Sequence, residues 1–552
     1  MEGNSHATIK VLLVFSFVAN LAVFSHQAST PCHLREYKTG LVCICNATYC
    51  DYLEDPSPSD ENEFVIVSTS KAGLRFDTVR GLNNITEKTH ILDFDERLQE
   101  GEGKKLKNVI HKVTSSPATR RVSIHVDREK IRQKITGFGG SFTGAVRYIL
   151  ENLPQKLQDH VYKPFYSQQG IGFNLMRTPI GGCDFDLEPW AYNELPVNDT
   201  ALSNFTALDA RERKIIEQIK RLKEVTNLEN LRIKGAAWSS PKWMKTNNKW
   251  AGSSRLKQEY YQTWAYYHLR WMELWAANGL PIWAISTGNE PLNGVGFMPF
   301  VRFMSLGWTP GKQAIWLSEN LGPTIRAKYN KTVIFGNDDQ RYTFAFWFKL
   351  MRLSRPDSLD YLSGLSVHWY WDEIFEPSFI DIAHKQMPDK IMLISESCIG
   401  DKPWQKKTPI LGSWKRGEKM ARGFLQNLQN NINGWLDWNI VLNEEGGPNY
   451  VNNFVDSPMI VNMTNRLELY KQPMFYTMGH FSKFIPEGSV RIAAERSNIN
   501  VDTIGFLRPD GSIALIVFNS GFASVNVSIV DTKRCSISLQ IPQKSIHTVL
   551  YN

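Results

Sequence analysis

The run PIWAISTGNE occupies residues 281–290. It is too short for a stable helix, rich in apolar side chains, and closed by a glycine and two polar groups, so it reads as a buried strand with a polar tip. Three similar runs precede it: ITGFGGSF (135–142), GFNLMRTPI (172–180) and NLRIKGAAW (230–238). Four more follow: KTVIFGNDD (331–339), LSGLSVHWY (362–370), KIMLISES (390–397) and NGWLDWNIV (433–441). Helical patterns lie between them. Ile215, Ile216, Ile219, Leu222 and Val225 are spaced to line one face, and an aromatic-rich run extends from Glu259 to Ala277. Strands that alternate with helices imply parallel pairing through right-handed crossovers, and eight such units close most simply into a (β/α)8 TIM barrel, placed at 133–440. An open doubly wound sheet is the competing arrangement, but GFGGSFTG (137–144) lacks the G-x-G-x-x-G spacing of a phosphate-binding turn.

The flanks have a different period. After Gly488 the chain runs in short alternating segments, with an Asp510-Gly511 turn ahead of SIALIVF, then SVNVSIV and SISLQIP, which is an antiparallel β pattern. EFVIVST and RRVSIHV lie in 57–132 on the other side of the barrel. Neither half is a domain alone, so 57–132 and 488–552 are expected to form one β-sandwich from both ends of the chain.

Length and composition agree with several packed units. The chain has 552 residues, 42% of them hydrophobic, with 17 Trp, 29 Phe and 19 Tyr, a composition that excludes disorder. The net charge of +8 is spread without a block of five or six like charges, so no nucleic-acid partner is indicated. Lys10, an apolar stretch from Val11 to Phe24 and small residues near Ser25 read as a signal peptide over 1–25. Cys32, Cys43, Cys45 and Cys50 suit a disulfide-stapled segment of an oxidising compartment, whereas a zinc site would want paired C-x-x-C spacing. Pairing Cys43 with Cys45 would be strained, and of the connectivities that remain we expect 32 with 43 and 45 with 50. Cys183, Cys398 and Cys535 are left over, so at least one thiol is expected free. Seven Asn-x-Ser/Thr sequons, at Asn46, Asn84, Asn198, Asn204, Asn330, Asn462 and Asn526, mark candidate glycosylation sites.

Barrel enzymes carry their reactive groups at the C-terminal strand ends. Here those ends hold Arg177 with Asp184 beyond it, Trp238, Asn289 with Glu290, Asp338-Asp339-Gln340, His368-Trp369-Tyr370, Glu396, and Trp438-Asn439. Two glutamates at the fourth and seventh ends, ringed by Trp and Tyr, suit glycosidic bond cleavage, where one acid protonates the leaving oxygen and another carboxylate attacks or activates water. Carboxylates at strand ends are also common as loop anchors, and it is the pair that carries the reading. Trp271 and Trp283 read as core. Cys398 has no local signature of a cysteine nucleophile, and no metal or cofactor motif is present.

The strings STGNEP (286–291), SVHWYWD (366–372), ISESCIG (394–400), GWLDWNIVLNEEGGPNYVNNFVDSP (434–458), KQPMFYTMGHFSKFIPEGS (471–489), CICNATYC (43–50) and IGFNLMRTPIGGCDFD (171–186) resemble those of the lysosomal acid β-glucosidases, the glucosylceramidases of glycoside hydrolase family 30. The resemblance implies a retaining hydrolase with Glu290 as acid/base and Glu396 as nucleophile. Asn289 would bond the sugar 2-hydroxyl, Asp184, Trp238, Trp438 and Asn453 would hold the glucose, and His368, Trp369 and Tyr370 would surround the nucleophile, supported by Arg177 and Gln340. It also implies an immunoglobulin-like sandwich, a small antiparallel three-stranded sheet built from 30–54 and 441–472 with the N-terminal disulfides, and a barrel completed by 473–487. A glycosphingolipid substrate, an anionic membrane surface, a saposin-type activator and the lysosomal lumen follow from the same likeness, with no cofactor and no metal. The loop GVGFMPFVRFM (294–304) is apolar enough to receive a lipid, and equally suits a plain loop packed against a helix. The sequence departs from the pattern in a charged insertion around 85–118, at Gly144 where the vertebrate form has Asp, and at Met298 where the entrance loop has an aromatic.

Overall fold

A computed structural model describes residues 29–82, 120–295, 301–402, 404–534 and 536–552. The expected signal segment, Asn84, the insertion around 85–118, Met298 and Cys535 lie outside the described residues.

Each of the eight apolar runs supplies one strand of a closed parallel barrel, the fifth strand ending one residue past its run: Gly137–Ser141, Leu175–Pro179, Arg232–Ala236, Ala284–Ser286, Val333–Gln340, Gly364–His368, Ile391–Glu396 and Gly434–Asn439. The eighth pairs with the first, Gly434 opposite Gly137, and closes the cylinder. Because helices cover the outside and side chains fill the inside, both faces of these strands are buried, which is why they are nearly continuous apolar runs. Helix Ala210–Thr226 buries Ile215, Ile216, Ile219 and Leu222 against the barrel. Its first turn is capped by the Asp209 side chain, and Asn227 ends it at φ 53°. The aromatic-rich run forms helix Tyr261–Ala277, with Trp264, Trp271 and Trp275 buried.

The two chain ends meet in a nine-stranded sheet, in the order Ile537–Ile541, Val525–Asp531, Arg120–Lys134, Val490–Arg496, Asp502–Leu507, Ile513–Asn519, Ser545–Tyr551, Glu63–Ser70 and Arg75–Leu82. It folds over a core in which Phe64 and Ile66 meet Val122, Ile124, Val527, Leu539 and Val549. The Asp510-Gly511 turn joins two of its strands, with Gly511 at φ 86°. Helix Pro473–Ser482 is buried along its whole length between helix Trp414–Gln429 and this sheet. Its His480 bonds Thr548 through Nδ1 and Thr69 through Nε2, both at 2.9 Å, linking the barrel to the sandwich.

The small sheet differs from the expected three antiparallel strands. It has five, in the order Leu34–Tyr37, Gly40–Cys45, Leu469–Lys471, Met459–Val461 and Val441–Asn443, and the last two are parallel. The reason is continuity: the chain leaving the eighth barrel strand runs straight on into Val441–Asn443, and after the loop at 444–458 it returns in the same direction. The disulfides are Cys32–Cys43 and Cys45–Cys50, as expected. Cys183 and Cys398 are free and buried. No described helix is long and apolar enough to cross a membrane.

Candidate active site

The polar tips of the barrel strands converge at one mouth. At the fourth tip the backbone turns sharply: Gly288 lies at φ 130° and Glu290 at φ 43°, a left-handed conformation that costs free energy for a residue with a Cβ. Hydrogen bonds from Asn289 N to Ala237 O at 2.9 Å and from Glu290 N to Asp338 O at 3.0 Å hold that turn between the third and fifth strands. At the fifth strand the register shifts between Asn337 and Asp339, and this bulge aims Asp338 into the barrel while Gln340 reaches the mouth.

Glu290 and Glu396 face each other there, each with an oxygen and His368 with a nitrogen, all three atoms within 4.8 Å of one another. Their surroundings differ. Glu396 accepts from Arg177 Nη1 and, at 2.5 Å, from Tyr370 OH. Glu290 is met by Gln340 Nε2 at 2.8 Å, Asn293 Nδ2 at 2.5 Å and His368 Nδ1 at 2.9 Å. These donors occupy the carboxylate oxygens, which makes the grouping a set of hydrogen-bonded acids.

Arg177 also donates from Nη2 to Asn289 at 2.7 Å and to Asp338 at 3.3 Å. Its guanidinium lies 4.7 Å from the Trp238 ring and 5.3 Å from the Trp438 ring, and the two indoles stack at 5.3 Å. Asp184 is buried beside them, bonded by Asn449 at 3.1 Å and Asn453 at 3.5 Å, and burial together with the charge of Glu396 pushes its carboxyl up to about 7. Burial drives His368 downward, but Glu396, Asp338 and Glu290 outweigh it and raise the imidazole to about 10.

The expected residues therefore gather at one mouth, with one correction. The Trp369 side chain does not face the glutamates: the strand ends at His368, and beyond it Trp369 meets Glu396 only through its backbone N–H, which donates to Glu396 O at 3.3 Å. Its indole N–H donates to Cys398 O at 3.0 Å and its ring packs edge-on to Trp435. Gly144 is explained by its neighbour, since a Cβ there would lie 2.3 Å from Cγ of Asp186. Three further residues of the cluster, Asn293, Lys234 and Ser395, were not singled out from the sequence, and Asp338 was named only as part of a strand end. Asn293 bonds Glu290, Asp338 accepts from Arg177, and Lys234 and Ser395 bond Asp338. The signal for Lys234 was a lysine inside the apolar run NLRIKGAAW, as Arg177 lies inside GFNLMRTPI.

The glycosyl hydrolase family 30 TIM-barrel domain matches residues 135–485, and the family's beta sandwich domain matches residues 488–549. The chain belongs to glycosyl hydrolase family 30. It is thus a retaining glycoside hydrolase, and an oxygen of each glutamate within 4.8 Å of the other is far closer than the spacing of about 6.5–9.5 Å used by inverting pairs. Among family 30 relatives it is similar to the lysosomal acid glucosylceramidase of Mus musculus, 33% identical over 537 residues, covering 96% of this chain and 97% of the mouse protein. It is similar also to putative glucosylceramidase 4 of Caenorhabditis elegans, 31% identical over 546 residues, covering 97% and 98%. Among solved structures SrfJ from Salmonella typhimurium shares the fold, with a TM-score of 0.73 over 89% of this chain and 99% of that one, at 22% identity.

Proposed function

We propose that this family 30 enzyme cleaves the β-glucosidic bond of glucosylceramide, releasing glucose and ceramide by double displacement. The observation that carries the reading is the pair of facing carboxylates with unlike partners. Glu396, held by Arg177 and Tyr370, is the nucleophile: it attacks the anomeric carbon and forms a glycosyl ester. Glu290, held by His368, Gln340 and Asn293, protonates the departing ceramide oxygen, and then takes a proton from the water that opens the ester. Once Glu396 is esterified its charge is gone, and Glu290 yields its proton more readily. Asn289, oriented by Arg177, is placed for the sugar 2-hydroxyl; Asp184 and Asn453 serve its other hydroxyls, and Trp238 and Trp438 form the floor.

The lipid half of the substrate rests on two supports. One is near full-length similarity to proteins named glucosylceramidases. The other is the rim, where the loops after the second, sixth and seventh strands expose Leu187 (51%), Leu195 (70%), Val197 (58%), Ile374 (61%) and Trp404 (69%) around the mouth. With the basic balance of the chain, these side chains suit an anionic membrane carrying the glycolipid and an activator of the saposin type. Two disulfides and the exposed sequons Asn198, Asn204 and Asn330 fit the secretory route to the lysosome. Asn46, Asn462 and Asn526 are half-buried sites of the same proposal.

Trapping with a 2-deoxy-2-fluoro-β-glucoside and mapping the labelled peptide tests the assignment: the label is expected on Glu396, and a label elsewhere removes it. Turnover of a panel of β-glycosides and glycolipids, with and without vesicles of acidic phospholipid, tests the substrate. Hydrolysis of another β-glycoside with glucosylceramide untouched would overturn that part alone.

A further inference from the structure

Beneath the two glutamates lies a second layer of charge that the mechanism above leaves unused. Lys234, on the third barrel strand, is fully buried, and its Nζ lies 3.0 Å from both oxygens of Asp338 on the fifth. Asp338 is likewise fully buried. It accepts also from Arg177 at 3.3 Å and from Ser395 Oγ, and it stands 3.6 Å from His368 Nε2. Asp338 thereby touches the two cationic side chains that serve the reacting acids: Arg177, which bonds Glu396 and Asn289, and His368, which bonds Glu290. A fully buried carboxylate in a dry barrel draws every cation within reach, and two partners shared among three acids would be pulled inward.

We propose that Lys234 is a positioning residue for the reaction: its ammonium neutralises Asp338 from below, so that Arg177 and His368 stay aimed at Glu396 and Glu290. In this arrangement Lys234 and Arg177 face Asp338 and Glu396, two cations to two carboxylates, with His368 lying between Asp338 and Glu290. Lys234 is surrounded by Asp338, Arg177 and Glu396, and its Nζ lies 5.6 Å from the Phe335 ring centroid. Burial lowers Lys234 to about 8 although Asp338 supports its charge, so it remains an ammonium in acid. Burial would raise Asp338, but Lys234 and Arg177 together overcome it and hold the carboxylate well below its ordinary value.

The inference rests on the glycosidase roles given to Glu290 and Glu396, and the test separates the two. The wild-type enzyme and Lys234→Met are assayed on an aryl β-glucoside from acid to neutral pH, with parallel inactivation by the 2-fluoro-glucoside. With Arg177 drawn toward Asp338, Glu396 loses part of its counter-charge. The acidic limb of kcat/KM and that of the inactivation rate are therefore expected to move up together by about one pH unit, a tenfold loss on the acid side, with KM changed less than kcat. The double variant Lys234→Met/Asp338→Asn removes both charges, and its limb is expected back beside that of wild type. It also stands in for the single variant if that one fails to fold. A folded Lys234→Met enzyme with an unmoved limb overturns the proposal, as does a double variant displaced by about a unit or more. A wild-type enzyme that turns over no β-glycoside would instead remove the functional reading beneath it.

Discussion

Glu290 and Glu396 are chemically the same side chain, and in the mechanism proposed above only their neighbours divide the work between them. If Glu396 is the nucleophile, Glu396→Gln abolishes turnover of every substrate. Glu290→Gln is expected to cost about 10²–10⁴-fold on glycolipid, whose leaving alkoxide needs a proton, and far less in the first step with a dinitrophenyl glucoside, which needs none. Equal losses on both substrates would contradict the division of roles, and pre-steady-state release of the phenol reads it directly. Gly144 makes a different kind of claim. The carboxylate of Asp186 occupies the space a Cβ would fill, and it is fixed there by Trp190 Nε1 at 2.8 Å. Gly144→Ala is therefore expected to destabilise the fold by about 1–3 kcal/mol through overpacking, which a denaturant melt measures. The glutamates were legible in the sequence because strand-end position and residue type coincide. Asp338 was named only as part of a strand end, since nothing in a run of two aspartates tells that a bulge turns one of them inward.

Elements were legible wherever the period was strong. Seven of the eight barrel strands lie within the apolar runs and the fifth overruns its own by one residue, helix Ala210–Thr226 buries Ile215, Ile216, Ile219 and Leu222 as their spacing predicts, and the aromatic-rich run forms helix Tyr261–Ala277. What eluded the sequence depends on partners distant along the chain. The parallel pairing of Val441–Asn443 with Met459–Val461 involves three-residue strands that carry no pattern of their own. Trp369 belongs to the same class: a resemblance placed it beside its neighbours, but its ring packs on Trp435 and its indole N–H donates to Cys398 O, partners far along the chain. Two predictions belong here. Asp209→Ala removes the cap that bonds Arg211 N at 2.9 Å and is expected to cost about 1 kcal/mol. Replacing Cys32 and Cys43 by Ser opens a link spanning 11 residues and is expected to cost about 2–3 kcal/mol, seen as a lower melting temperature.

For the molecule as a whole, burial of acids sets a preference for acidic solution. Burial is the main cause that pushes Asp184, Glu212, Asp339, Asp372 and Asp437 each up to about 7. A carboxyl raised in the folded state binds its proton more tightly there than in the unfolded chain, so its contribution is full below the unfolded value near 4 and is lost as pH rises through about 7. Buried histidines oppose this. His268 is lowered to about 4 and His547 to about 3, and His480 lies well below its usual value, all chiefly by burial, so each costs stability as pH falls below about 6.5. With Asp186, Asp401 and Asp456 also raised by burial and His160 also lowered, eight carboxyls outweigh four imidazoles between pH 7 and 5, and calorimetry is expected to give a higher melting temperature at pH 5 than at pH 7; the reverse order would refute the balance. The sandwich carries a last consequence. Its strand Ser545–Tyr551, the final one of the chain, sits in the interior of the sheet between Ile513–Asn519 and Glu63–Ser70. Synthesis must therefore reach residue 551 before Glu63–Ser70 can find both of its neighbours, and losing that late strand would open a gap through the middle of the sheet rather than trim its edge.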